Sequence, residues 1–203
     1  MLDRRVHLAA TLLGLLSLSF ATHAVAQGRQ QRQDHGWYVV GAIANSTISV
    51  CDIFGCLYPD SNSPDTGLAV SVGWRLGRHA GIEVEYLDAG TPAWGDSGLR
   101  YRVDTSGLRG VFVWNFTFRG RWSAYVQGGL THFDARSRVS GFGPYPTITS
   151  HSTRATIGGG GELKITGPWS LRLGLESSEL DDRLLDQRQG ALGTILIGAR
   201  RSF

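Results

Sequence analysis

The chain has 203 residues, of which 20 are basic and 17 acidic, for a formal net charge of +3. That length suits a single domain, and the near balance of charge, with no basic block, gives nucleic-acid binding no support. Its 28 glycines are spread along the chain without collagen-like or low-complexity period, and Lys164 is the sole lysine.

Arg4 and Arg5 precede an apolar stretch, Leu8 to Phe20, that runs into Ala24-Val25-Ala26. A positive start, a short apolar run and a small-x-small site predict a secretory signal over residues 1–26, cut after Ala26. The run falls short of the roughly 20 residues that a spanning helix needs. The residue directly after the cleavage site is Gln27 and not a cysteine, so no lipoprotein anchor is expected. Residues 27–35 are polar and read as a disordered periplasmic lead-in to a domain over 36–203.

From there a period of two recurs eight times, the mark of strands with unlike faces. The first runs from about Trp37 to Thr47, with Trp37, Val39, Gly41 and Ile43 on one face. The second, Leu68 to Leu76, sets Leu68, Val70, Val72, Trp74 and Leu76 against Ala69, Ser71, Gly73 and Arg75. The third, Gly81 to Asp88, turns Ile82, Val84 and Tyr86 one way and Glu83 and Glu85 the other. The fourth ends in Phe112, Trp114, Phe116 and Phe118, opposite Arg109, Val111 and Val113. The fifth alternates Trp122, Ala124, Val126, Gly128 and Leu130 against Ser123, Tyr125, Gln127 and Gly129. The sixth opposes Ala155, Ile157, Leu163 and Ile165 to Arg154, Thr156, Glu162 and Lys164. The seventh opposes Trp169, Leu171, Leu173 and Leu175 to Ser170, Arg172, Gly174 and Glu176. The eighth, Gly193 to Phe203, is the least regular: Ile195, Leu196 and Ile197 are contiguous, and Arg201 falls on the apolar parity.

Tight connections at Gly77–Ala80, Arg119–Arg121 and Thr166–Pro168 alternate with longer polar ones at roughly 48–66, 90–99, 134–152 and 177–191. Short turns at one rim and long loops at the other are the asymmetry of outer-membrane barrels. A soluble eight-stranded carrier shows the same period with its apolar face inward. Two features favour lipid outside. The charged face is otherwise Ala, Ser, Thr and Gly, which fits a lumen just wide enough for side chains. The apolar face places Trp37, Trp74, Tyr86, Phe118, Trp122 and Trp169 near strand ends, as interfacial girdles require. The expected fold is therefore all-β: an eight-stranded antiparallel up-and-down transmembrane barrel in the outer membrane of a Gram-negative bacterium, reached through the periplasm.

The stretch from Asp65 to Gly90, DTGLAVSVGWRLGRHAGIEVEYLDAG, resembles strands two and three of the OmpA-type transmembrane domain, with Glu83 and Tyr86 matching its E-x-x-Y. GGGGELKITGPWSLRLGLE, Gly158 to Glu176, is similar to that family's sixth strand, tight turn and seventh strand, with inward Glu162 and Arg172 ten residues apart. The resemblance implies a small non-enzymatic envelope barrel. A lysine that the family places inside the fourth strand is here replaced by Val113, with Arg109 the nearest inward cation. A last strand closing on Phe203 resembles the signal read by the outer-membrane assembly machinery.

Candidate chemistry lies in three places. By parity Glu83, Glu85, Glu162, Glu176, Arg75, Arg154, Arg172 and Lys164 point into the lumen. They form an expected network of salt bridges in which Glu162 and Arg172 are partners and Glu83 shares the same Arg. Cys51 and Cys56 form the only cysteine pair, expected to be a disulfide in an exported chain, since no His/Cys cluster surrounds them to hold a metal. His132, Asp134, His151 and Ser152 lie near the outer ends of strands five and six. An acyl-transfer site there needs a His within reach of Ser150 or Ser152. Loop residues Arg100, Arg102, Arg136, Arg138, Arg183 and Arg188 can pair with lipopolysaccharide phosphates. The expectation is no catalytic, metal or cofactor site. The protein would contact outer-membrane lipid and lipopolysaccharide, support the envelope and present loops for adhesion or a host factor. A lipid A deacylase or acyltransferase on the same scaffold is the alternative.

Overall fold

The computed structural model describes residues 36–52, 55–57, 61–96, 99–118, 120–141, 147–181 and 189–203. The expected signal (1–26) and lead-in (27–35) lie outside the described residues. Eight long strands make up the wall: β1 (Gly36–Asp52), β2 (Asp65–Arg75), β3 (Ala80–Asp88), β4 (Leu99–Thr117), β5 (Trp122–Ser140), β6 (Ile148–Thr166), β7 (Trp169–Glu179) and β8 (Gln189–Ser202). Each pairs antiparallel with its successor, and β8 returns to β1, so the sheet is closed and has no edge in the lipid. Three short segments decorate the long-loop end. Gly55–Leu57 folds back on β1, while Ser61–Ser63 pairs with Ala93–Asp96, which pairs with the start of β4.

The register fixes the stagger of the ring. Passing from Tyr38 through Gly73, Glu83, Val111, Gly129, Thr156, Ser178 and Leu192, each the partner of the one before, the path re-enters β1 at Ile48, ten residues on. Such a shear in eight strands implies a steep tilt, roughly 35–45°, and an interior only as wide as its side chains. Both ends of the wall, Gly36 and Ser202, share a rim with the turns after β2, β4 and β6. The tightest of these places Gly167 at φ 51°, a left-handed conformation that suits glycine.

The alternation of faces changes phase along the barrel axis. Over the lower part, Ile43, Leu68, Val84, Leu108, Leu130, Ile157, Leu175 and Ile195 point outward and stay exposed on the isolated wall, while Glu83, Arg109, Arg172 and Arg200 are buried inside. Along β2, β5 and β6 the outward apolar band runs from Leu68 to Leu76, Trp122 to Leu130 and Ile157 to Ile165, a height of roughly 23 Å in strands so tilted, close to the hydrocarbon span of outer-membrane barrels. Above it the pattern inverts. On β4 the outward residues are Arg100, Arg102 and Asp104, and the inward ones are Tyr101 and Val103. On β5 His132, Asp134, Arg136 and Arg138 face out, and Phe133 and Ala135 face in. Ile48, Leu87, Tyr101, Val103, Phe133, Leu180 and Leu192 thus make an apolar plug inside the outer end.

This inversion corrects the strand limits read from the sequence. The first strand continues past Thr47 to Asp52, and the fifth continues past Leu130 to Ser140. The sixth begins at Ile148 rather than Arg154, and the fourth begins at Leu99. Outside the lipid the outward face must be wetted, so the polar residues that read as loops are the water side of continuing strands. The run Ile195-Leu196-Ile197 resolves the same way: both isoleucines face lipid, and Leu196 is buried in the inner plug.

Two substitutions test the two halves. Val84, 57% exposed on the isolated wall, is expected to lose roughly 2–4 kcal/mol of barrel stability as Val84→Arg at midplane depth. Phe133, 1% exposed, should lose about 3–5 kcal/mol as Phe133→Ala, as a buried aromatic does. Urea unfolding from lipid vesicles measures both. A neutral Phe133→Ala would mean that the outer end is not a packed core.

Candidate functional site

The lumen within the membrane band holds a bonded stack of charges. At its base the Arg200 guanidinium donates to both oxygens of Glu162 at 2.7 and 2.9 Å and lies 3.8 Å above the Tyr38 ring. Next above, Arg172 donates to Glu83 at 2.7 Å and to the Gln127 carbonyl at 3.0 Å, with the Tyr125 ring 4.0 Å from its guanidinium carbon. Tyr38 donates its hydroxyl to the same Glu83 oxygen at 2.7 Å. The third level is Arg109, whose two terminal nitrogens clamp Glu85 and Glu176, while Gln127 donates to Glu176 at 2.6 Å. Glycines make room for the rings: a Cβ on Gly73 would sit 2.2 Å from Tyr38, and one on Gly174 would sit 2.5 Å from the Tyr125 hydroxyl.

Several of these positions differ from the sequence reading. Glu162 and Arg172 are register partners, yet Glu162 bonds Arg200 and Arg172 bonds Glu83. Arg200 was the missing member. It sits on the irregular eighth strand, where its parity is inward and its neighbour Arg201 takes the outward one. Arg75 is half-buried at the lower rim, donating to Ser202 at 3.5 Å. Lys164, the register partner of Ser170, is exposed at the same rim, outside the bonded stack. Val113 is buried in an apolar cluster with Val111 and Tyr125.

This arrangement is a filled core. A cavity bordered by Glu85, Arg172 and Glu176 has a volume of about 10 Å³, room for at most one water. Above the charges, hydroxyls meet in pairs: Thr131 with Thr156 at 2.5 Å, Thr156 with Ser178 at 2.8 Å, and Ser46 with Thr194 at 3.2 Å. The apolar plug closes the column. Among the described residues no group of three His, Cys, Asp or Glu side chains is placed to hold a metal.

The outer ends of β5 and β6 carry the candidate acyl-transfer residues, and the wall divides them. His132 bonds Thr153 at 3.0 Å, and His151 bonds Asp134; both pairs are exposed on the outer face. Ser150 and Ser152 face inward, with Ser150 donating to Asp181. Neither His bonds either Ser, so these residues do not make the contact that the alternative acyl-transfer reading needs.

Higher on the outer face, Arg102 and Arg138 are directly opposed on β4 and β5, with Asp104 opposite Arg136 beside them. Arg100, Arg102, Arg136 and Arg138 border an open cavity of about 460 Å³, completed by Ser63, Pro64, Asp65, Thr91, Ala93 and Asp104. Asp65 is engaged in tying two loops together, accepting from the backbone of Thr66 at 2.8 Å and of Thr91 at 2.7 Å. Arg183 and Arg188 lie outside the described residues. Cys51 and Cys56 are register partners on β1 and the segment that folds back on it.

A double-mutant comparison distinguishes the observed wiring from the register. Breaking one member of a buried pair costs about 3–5 kcal/mol, and removing both costs less. Glu83→Gln with Arg172→Met, and Glu162→Gln with Arg200→Met, should each show coupling above about 1 kcal/mol, with Glu162→Gln and Arg172→Met much closer to additive. Refolding cycles in vesicles measure all three. Strongest coupling in the last pair would contradict the wiring described.

A model of the outer membrane protein β-barrel domain matches residues 10–203, while no curated relative matches. Among solved structures, the fold is similar to Ail, the attachment invasion locus protein of Yersinia pestis, in complex with the heparin analogue sucrose octasulfate. That likeness is 16% identical and covers 84% of this chain and 99% of that one, with TM-score 0.53. It is similar to Neisserial surface protein A at 15% identity, covering 83% and 97% with TM-score 0.56. The N-terminal β-barrel domain of Pseudomonas aeruginosa OprF is 14% identical, covering 83% and 98% with TM-score 0.51. With the closed ring, its lipid-facing band and the family match in agreement, the chain belongs to the outer membrane protein β-barrel domain family of the Gram-negative outer membrane.

Proposed function

We propose that this protein is a non-enzymatic, non-conducting barrel that supports the outer membrane and binds phosphate- or sulfate-bearing saccharides at its outer rim, lipopolysaccharide foremost. The observation that carries this reading is the direct opposition of Arg102 and Arg138 on one face of a cavity of about 460 Å³. Like charges directly opposite across a strand pair are unfavourable by themselves, and a bound anion removes the penalty. The volume suits a sugar unit, and planar guanidinium groups suit phosphate and sulfate oxygens. Arg136 and Arg138 lie six and eight residues beyond Leu130, roughly 15–20 Å above the apolar band, at the level of phosphorylated saccharide rather than acyl chain. Ail shows that a barrel of this shape can carry a sulfated sugar, and a sulfated host glycan is the adhesive form of the same chemistry.

The filled lumen supports a structural role, since its described charged stack leaves room for at most one water beside Glu85, Arg172 and Glu176. Kinship to the OmpA-type domain rests on the Asp65–Gly90 and Gly158–Glu176 stretches. Export through the 1–26 signal and assembly through the strand ending at Phe203 belong to the same reading. So does a Cys51–Cys56 disulfide, which the register allows because directly opposed residues lie within disulfide reach.

Titration of the purified protein with a heparin oligosaccharide and with lipopolysaccharide tests the site. Arg102→Ser with Arg138→Ser should weaken both at least tenfold, and raising salt should weaken the wild type. Undiminished binding would refute the assignment, and altered lipid A in an overexpressing strain would refute the non-enzymatic reading. Thiol alkylation of protein isolated without reductant should label neither cysteine; labelling of both would remove the disulfide.

A further inference from the structure

The opposite rim is charged in a different way. Arg78, His79, Arg121 and Lys164 are exposed at the short-turn end, and Arg201 lies there on the outer face, 5.5 Å from the Trp169 ring centre and 4.9 Å from that of Phe203. No Asp or Glu occurs in segments 76–80, 117–122, 163–170 or 197–203. Outside the lumen, the described acidic side chains of the wall, among them Asp65, Asp88, Asp104, Asp134, Glu179 and Asp181, all lie toward the long-loop end. The cations come from the β2–β3, β4–β5 and β6–β7 hairpins and from β8, so they ring the barrel. Lys164 N donates to the Arg121 carbonyl at 2.8 Å, which sets those two residues side by side.

Tryptophan marks the same level. Trp37 and Trp74 meet edge-on at 4.4 Å, and Trp114 stacks with His79 at 6.3 Å. Trp122 and Trp169 complete a girdle holding five of the six tryptophans of the chain; Trp94 lies in the outer-rim segment. Such a girdle sits at the lipid headgroups. Arg and Lys keep their stems along apolar surface and hold their charge at the same depth. We infer that this basic collar selects net-anionic glycerophospholipids, of the phosphatidylglycerol type, from the periplasmic leaflet. A zwitterionic headgroup balances its own phosphate with an amine, whereas an anionic one leaves it to the protein, and basic residues at a membrane surface attract such lipids. The inference concerns the rim away from the arginine cavity and is independent of the saccharide reading.

The tryptophans make the test local. The protein purified from outer membranes is transferred to phosphatidylcholine vesicles containing a fixed fraction of either brominated phosphatidylglycerol or brominated phosphatidylcholine, and tryptophan quenching is compared. Brominated phosphatidylglycerol should quench about threefold more at low salt, approaching parity at about 0.5 M salt. Arg78→Ser with Arg121→Ser and Lys164→Ser should abolish the preference, while Arg102→Ser with Arg138→Ser should keep it. Equal quenching in the wild type, or a preference that survives the triple substitution, would overturn the collar. Should the triple variant fail to insert, Arg78→Ser and Lys164→Ser are compared singly, and each must reduce the preference.

Discussion

Each strand of this wall faces two environments at once, and the one outside changes from hydrocarbon to water partway up the barrel. A closed sheet satisfies its backbone internally at every height, so nothing in the hydrogen bonding marks the change. The side chains mark it. Between Leu130 and His132 on β5, and between Leu108 and Ser106 on β4, the outward face turns from apolar to polar. Within a few residues the inward face turns the other way, from Arg109 and Thr131 to Val103 and Phe133. Below this level the barrel is an inside-out protein, and above it an ordinary one with an apolar core.

The charged stack follows from that division. Where lipid takes the greasy face, the lumen is too narrow for bulk water and too enclosed for unpaired charge. Arg109, Arg172 and Arg200 answer Glu85, Glu176, Glu83 and Glu162, with Tyr38 and Gln127 adding hydrogen bonds and the Tyr125 ring lying against Arg172. Buried pairs of this kind are weak sources of net stability, yet costly to break one partner at a time. Their effect is to pin the register of strands far apart in the chain, since Glu83 and Arg172 hold β3 to β7 across the lumen.

The lower half was legible because the rule it obeys is simple. Val84 and Tyr86 against Glu83 and Glu85 can be read directly as lipid side and lumen side, and the short turns name the rim. The outer half was not, since Tyr101, Val103 and Phe133 keep the period while reversing its meaning. A scan for an apolar outward face stops at Leu130. Pairing was harder still: parity places Glu162, Arg172 and Arg200 in one lumen but cannot say which guanidinium reaches which carboxylate across it. Arg200 was hidden by the irregular eighth strand. His132, His151, Ser150 and Ser152 show parity at its strongest, since continuing β6 through them separates His from Ser.

The phase reversal is the claim on which the rest stands, and a spin-label scan along β5 tests it most directly. Single cysteines at positions 126 to 138, in a Cys51→Ser and Cys56→Ser background, are labelled in nanodiscs and exposed to oxygen and to a water-soluble nickel chelate. The account predicts a period of two along the whole segment. Positions 126, 128 and 130 should favour oxygen, positions 132, 134, 136 and 138 should favour nickel, and the odd positions should be shielded from both. Nickel access at 133, 135 and 137 equal to that of their neighbours would show a solvated loop there and contradict it.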